Sequence, residues 1–139
     1  MGTHKKPFLV NIHFTVKTYD IDAAHHVSNI VYIRWLEDLR FRILEEYLPL
    51  DRLMEKSLTP VILRTEINYI QAVKLFDNPT GMMWMEKLEN LRFYLAAEFT
   101  VGGKVVCDAR QTGVFIDIEK QRPSRIPPEL LKIFKESVW

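Results

Sequence analysis

Hydrophobic and polar residues alternate along the first part of the chain, from Pro7 to Lys17. The apolar members of this alternation are Val10, Ile12, Phe14 and Val16. Successive side chains of a β-strand point to opposite faces, so a period of two predicts a strand with one buried face.

A long apolar helix is predicted next, from Asn29 to Tyr47, after a loop that reaches Ser28. Ser28 or Asn29 can supply the capping oxygen at its start, and Pro49 ends it. Hydrophobic residues cover most of the helix circumference: Ile30, Val31, Ile33, Trp35, Leu36, Leu39, Phe41, Ile43 and Leu44. A helix that is apolar on all sides is normally enclosed, so we expect a sheet around it.

The rest of the chain predicts a short amphipathic helix, four strands and a terminal helix. The helices cover residues 51–58 and 129–137, and the strands cover 59–73, 81–88, 92–101 and 104–118. Turn residues separate the strands, as at Gly102-Gly103. This order predicts an α+β fold, in which one antiparallel sheet of about five strands wraps around the long central helix. We expect a single domain over residues 1–139, with residues 1–6 flexible.

The strand GMMWMEK has apolar residues on both faces. Met82 and Trp84 point to one side, and Met83 and Met85 to the other. One face has to pack on the helix, so apolar residues on the second face favour a subunit interface there. Irregular packing under a loop is the alternative.

Composition and charge exclude several classes of function. The chain has 19 Lys and Arg against 18 Asp and Glu, with both signs interspersed, so we expect no nucleic-acid partner. No segment has the length and apolarity of a membrane span, and the start MGTHKK lacks a signal peptide. The single cysteine, Cys107, fits a reducing compartment. We therefore expect a cytoplasmic protein that does not enter membranes.

The loop before the long helix concentrates the candidate chemistry, with Asp20, Asp22, His25 and His26 in TYDIDAAHHVSN. Adjacent histidines on an extended chain point in opposite directions, which makes them a poor pair of metal ligands. No further metal-binding pattern accompanies them, so we expect no metal. On the helix, Glu37 and Arg40 have the spacing of an intrahelical ion pair.

These residues resemble the signature of a known family. The run TYDIDAAHHVSNIVYIRWLEDLR (residues 18–40) is similar to that of the 4-hydroxybenzoyl-CoA thioesterase-like family of hotdog-fold acyl-CoA thioesterases. The segments PVILRTEINYIQAVKLFD and QTGVFIDIEKQRPSRIPPEL resemble its second strand and its last strand with the following turn. The resemblance implies a sheet around one helix, paired subunits, and active sites at the interface between them.

The resemblance also assigns roles to residues. Asp22 is the implied catalytic carboxylate, either as a nucleophile or as a general base, and the backbone amide of Asn29 is the implied oxyanion donor. His26 stands where the family usually has histidine and is expected to contact the substrate. His25 stands where the family usually has glycine, a departure at a backbone position that histidine tolerates better than most residues.

Substrate binding is expected to involve further residues. Tyr32 fits as a wall of the acyl pocket or of the core. Arg64 and Arg92 are candidates for the coenzyme A arm, because guanidinium groups bind phosphates. Leu91 departs from the small hydroxyl residues that the family often has before the strand.

The sequence thus leads to two functional hypotheses. The first is an acyl-CoA thioesterase that forms a homodimer or homotetramer and needs no cofactor, coenzyme A being part of its substrate. The alternative is a non-catalytic acyl-CoA or acyl-thioester binding protein of the same fold. Neither aromatic nor aliphatic acyl groups are favoured by the sequence.

Overall fold

A computed structural model, which describes residues 6–137, contains one antiparallel sheet and one long helix, as predicted. The helices are α1 (Asn29–Tyr47), α2 (Leu50–Glu55) and α3 (Pro128–Ser137). The strands are β1 (Val10–His13), β2 (Leu58–Tyr69), β3 (Thr80–Leu88), β4 (Arg92–Val101), β5 (Lys104–Asp117) and β6 (Arg122–Ser124). The strand order is β1-β3-β4-β5-β2, and β6 pairs with β5. The predicted flexible start lies, apart from Lys6, outside the described residues.

The bounds of α1 and β4 are as predicted, whereas two strands are shorter than their sequence patterns. The chain turns before β1, where Phe8 has a φ of 60°. It leaves the ladder at Phe14, whose amide donates to the carbonyl of Pro79 (2.9 Å). β2 ends at Tyr69 instead of Val73, and β6 has no counterpart in the sequence prediction. The short helix predicted over residues 51–58 ends earlier, because Ser57 already turns the chain with a φ of 59°.

The expectation that α1 is enclosed on all sides is wrong for one face. Ile30, Ile33 and Phe41 are exposed. The buried face packs on the concave side of the sheet through Val31, Tyr32, Trp35, Leu36, Leu39 and Ile43. Their spacing of three and four residues places them on one stripe of the helix, so the sheet covers that stripe and leaves the opposite face accessible.

The side chains of β3 divide between its two faces as predicted. Met83 and Met85 are buried toward α1, whereas Met82 and Trp84 are half-buried on the convex face of the sheet. Around Trp84 this face carries mixed charges, including Glu86, Glu98 and Arg110. A subunit interface there stays a prediction.

The two edges of the sheet differ in length. β1 forms one edge with four residues, and β2 forms the other with twelve. β2 pairs only with β5, so the other side of its backbone has no strand partner within the described chain. None of the helices within residues 6–137 is long and apolar enough to cross a membrane.

Candidate active site at the start of helix α1

The Asp22 carboxylate lies in a tight loop that leads into α1. Ile21 and Val27 form an isolated β-bridge at the base of this loop. Within the loop, the Asp22 amide donates to the carbonyl of His26 (2.9 Å). Oδ1 of Asp22 accepts the amides of Ala24 (2.9 Å) and His26 (3.3 Å). Oδ2 accepts no hydrogen bond from any described residue, so the side chain is fixed through one of its two oxygens.

A second carboxylate holds the base of this loop. Asp20 is buried, and its Oδ2 accepts the amide of Lys17 (2.8 Å) while its carbonyl accepts the amide of Ser28 (2.9 Å). The Val27 amide donates to the carbonyl of Val73 (2.8 Å), which joins the loop to the segment after β2. Asp20 therefore stabilises the loop, whereas the carboxylate of Asp22 is exposed.

His25 adopts the left-handed backbone conformation that glycine favours, with a φ of 66°. Its amide donates to the carbonyl of Asp22 (3.0 Å), which closes the turn. The departure from glycine thus leaves the expected loop geometry in place. His26 is half-buried beside it, and its backbone holds Asp22 on both sides of the loop.

The start of α1 has free amide donors. Ser28 occupies the N-cap position, but its side chain makes no capping hydrogen bond, contrary to the sequence expectation. Within residues 6–137, the amides of Asn29 and Ile30 have no acceptor. Asn29 follows His26 by three residues, which span at most about 11 Å of extended chain. Free amides at a helix start attract negative charge, and here they lie close to the Asp22 loop.

Two tyrosines flank the helix start, and sequence analysis identified only one of them. The Tyr69 hydroxyl, at the end of β2, donates to the carbonyl of Asn29 (3.2 Å). Its ring forms a T-shaped pair with the ring of Tyr32, with centroids 5.3 Å apart. Tyr69 lay within a predicted strand, and only the strand register brings it to Asn29.

Tyr32, the predicted pocket residue, is buried in an aromatic cluster with Trp35 and Phe99. Burial, together with Cys107 and Tyr69, raises the pKa of Tyr32 far above its ordinary value, so its hydroxyl stays protonated. Its position favours the core interpretation, and a contact with substrate stays a prediction.

The two predicted arginines lie away from Asp22 within one chain. Arg64 pairs with Thr112 in the ladder and points to the convex face of the sheet, where it forms an ion pair with Glu66. Arg92 is exposed on β4 opposite Val114, seven residues along β5 from Cys107. Tyr69 pairs with Cys107, so Arg92 lies about 23 Å along the strand from this point. Their contact with coenzyme A stays a prediction.

Arg40 also has a different partner from the one expected. Its guanidinium donates to Oε1 of Gln111 (2.8 Å), and no carboxylate of the described chain, Glu37 included, lies within 4.0 Å of it. Within residues 6–137, no three His, Cys, Asp or Glu side chains are close enough together to hold a metal ion. The candidate site at the start of α1 combines, among the described residues, the exposed carboxylate of Asp22 with free backbone amides.

Comparison with known proteins defines the class. A model of the Thioesterase-like superfamily matches residues 16–134, so the chain belongs to this family. The long-chain acyl-CoA thioesterase FadM from Escherichia coli (strain K12) is 28% identical over 125 residues, which cover 88% of this chain and 95% of FadM.

Two solved structures have the same fold. The YbaW probable thioesterase from Escherichia coli is 26% identical with a TM-score of 0.79, over 94% of this chain and 98% of that one. A predicted thioesterase from Bacillus stearothermophilus is 23% identical with a TM-score of 0.83, over 94% and 97% of the two chains. Together they confirm the hotdog fold.

Proposed function

We propose that this chain hydrolyses acyl-CoA thioesters at the start of α1, with Asp22 as the catalytic carboxylate. One observation carries the proposal: Asp22 is fixed through Oδ1 alone, beside a helix start whose amides are free. The similarity to FadM supports an acyl-CoA substrate and makes a long-chain acyl group the first to test.

The geometry fits two routes, which differ in the group that attacks the thioester carbon. In the first, Oδ2 of Asp22 attacks the thioester carbonyl, the thiolate leaves, and water hydrolyses the resulting anhydride. In the second, Asp22 takes a proton from a water molecule whose oxygen attacks the same carbon, the C–S bond breaks, and the proton passes to the departing thiolate. Both routes place negative charge on the carbonyl oxygen, where the amide of Asn29 donates a hydrogen bond along the helix dipole.

His26 contributes in two ways. Its backbone keeps the Asp22 loop closed, and its half-buried imidazole contacts the substrate next to the thioester. His25 keeps the turn that carries Asp22 in the left-handed conformation that glycine favours.

The functional unit is a homodimer joined along β2. This strand presents twelve residues of unpaired backbone edge and exposes Val61, Leu63 and Tyr69. Exposed apolar edges of this length are templates for pairing with another strand. Pairing two β2 strands would cover Tyr69, next to the helix start, so each catalytic site would adjoin the partner. A tetramer would add contacts at the convex face near Met82 and Trp84.

The experiment compares Asp22→Asn with a matched control, Asp117→Asn. Asp117 also holds a turn through Oδ1, which accepts the amides of Glu119 and Lys120 (both 3.0 Å). Asparagine keeps this acceptor in both variants, so both should fold. Hydrolysis of short, medium, long and aromatic acyl-CoAs should fall about 10²- to 10⁴-fold for Asp22→Asn only.

Two results would contradict the proposal. Hydrolysis by Asp22→Asn at the wild-type rate would exclude Asp22 as the catalytic group. Tight acyl-CoA binding by the wild-type protein, without hydrolysis of any member of the panel, would favour the non-catalytic binding protein.

A further inference from the structure

The Arg40 guanidinium is held under α1 by a chain of hydrogen bonds. It donates to Oε1 of Gln111 (2.8 Å), and Nε2 of Gln111 donates to Oγ1 of Thr65 (3.0 Å). Gln111 is only 3% exposed, so both ends of a buried amide are used to fix this arginine. Because both the oxygen and the nitrogen of the Gln111 side-chain amide are hydrogen-bonded, this amide cannot rotate and it fixes the position of the Arg40 charge.

This charge lacks a carboxylate partner in the part of the chain that the structure describes. Burial lowers the pKa of Arg40, with Glu37 acting in the opposite direction, so the guanidinium has lost much of its hydration. Charged groups inside proteins are normally paired with an opposite charge. A guanidinium has five N–H donors, and Gln111 takes one of them. Arg40 can therefore donate its remaining hydrogen bonds to an anionic ligand.

An apolar cavity of about 180 Å³ adjoins this charge, between the second half of α1, the sheet and α3. Phe93, Leu95 and Phe115 form its buried walls. Leu44 and Ile62 are half-buried and border its open side together with Arg40. An apolar cavity of about 150 Å³ binds benzene, so this one has room for a ring or about six to seven carbons.

We propose that this cavity binds a carboxylic acid with a compact apolar body, whose carboxylate pairs with Arg40. A neutral apolar ligand would leave this half-buried charge without a carboxylate partner, whereas a carboxylate satisfies it with two parallel hydrogen bonds. The site is separate from the hydrolytic centre of the same chain, because Arg40 follows Asn29 by eleven residues along the helix, a distance of about 16 Å. If the proposed hydrolysis holds, such an acid belongs to the chemical class of its products.

Calorimetric titration with octanoate and 1-octanol tests the pairing, because the two probes have equal carbon number and differ in charge. Octanoate should bind the wild-type protein about tenfold to a hundredfold more tightly than 1-octanol. Arg40→Met keeps the aliphatic stem and should abolish the difference while 1-octanol still binds. Arg40→Lys keeps the charge and should retain part of the preference, which also covers the case in which Arg40→Met fails to fold.

Two further variants locate the site. Ile62→Trp fills the cavity and should abolish the binding of both probes, whereas Asp22→Asn should leave octanoate affinity unchanged even if it stops hydrolysis. Equal affinity for both probes, or a preference that survives in Arg40→Met, would overturn the proposal. So would loss of octanoate binding in Asp22→Asn. A change of oligomeric state in Arg40→Met, with neither probe bound by the wild-type protein, would assign Arg40 to a subunit contact instead.

Discussion

The Tyr69 hydroxyl donates a 3.2 Å hydrogen bond to the backbone carbonyl of Asn29. This bond joins the last residue of β2, the long free edge of the sheet, to the first residue of α1. The helix start, where the proposed oxyanion donor lies, is thereby connected to the strand at which a second subunit would pair.

Replacing Tyr69 with Phe should lower hydrolysis about two- to tenfold, because one neutral hydrogen bond that positions the Asn29 turn is lost. Tyr69 is partly exposed, so the free energy of unfolding should change by less than about 1 kcal/mol. Tyr94→Phe is the control, since among the described residues the Tyr94 hydroxyl forms a hydrogen bond only with Glu89 (3.5 Å). Steady-state kinetics check the first expectation and urea denaturation the second. An unchanged rate in Tyr69→Phe would show that this bond does not position the helix start.

Substitutions at His25 should follow its backbone conformation rather than its imidazole. With a φ of 66°, His25→Gly should be more stable than His25→Ala by about 1 kcal/mol, since alanine pays a steric penalty there. The neighbouring Ala24 is the control, because Ala24→Gly should destabilise the fold. Urea denaturation of the three variants measures the differences. Equal stability of the glycine and alanine variants at position 25 would contradict the role of its φ.

A charge in the middle of the free edge should separate the proposed dimer. Leu63 is 54% exposed on β2, and Leu63→Asp would place like charges on facing strands. Leu91 is 49% exposed just before β4, so Leu91→Asp serves as a control that makes the same substitution away from this edge. Sedimentation should give a monomer for Leu63→Asp alone, with reduced hydrolysis. A dimer that survives this change would place the interface elsewhere.

Cys107 should behave as an inert core thiol. Burial, assisted by Asp108, raises the pKa of Cys107 from 9.0 to about 12. The folded state therefore keeps the thiol proton longer than the unfolded state does. The resulting stabilisation is complete below pH 9 and is lost as the pH rises toward 12.

The stability difference between wild type and Cys107→Ala should accordingly shrink between neutral pH and about pH 10.5, as measured by urea denaturation. Iodoacetamide should label the folded protein far more slowly than the urea-unfolded chain at neutral pH, since the thiolate is the reactive form. Fast labelling of the folded protein would show that Cys107 is accessible.

The sequence patterns predicted the burial of side chains better than the pairing of strands. Phe14 and Val16 alternate with polar residues and are buried as expected, yet their backbone lies outside the β1 ladder. Alternation reports which side chains face the core, and an extended segment can bury them without a partner strand. By contrast, the ends of α1 were predicted correctly because an apolar period and Pro49 both define them.

The candidate site was predictable where it is local in sequence. Asp22 and Asn29 are seven residues apart, and the closed loop between them keeps them near each other. Tyr69 and Gln111 reach the helix only through strand register, which the sequence does not encode in any short pattern. Arg64 was assigned from its chemistry, but its position in the ladder directs it to the convex face.

The unequal edges of the sheet also limit how many copies can assemble in its plane. A two-fold contact between β2 strands would use the same edge of both chains and leave only the four-residue β1 strands at the outer ends. Such short ends offer little backbone for a third copy, so assembly would close at two subunits instead of extending into fibres.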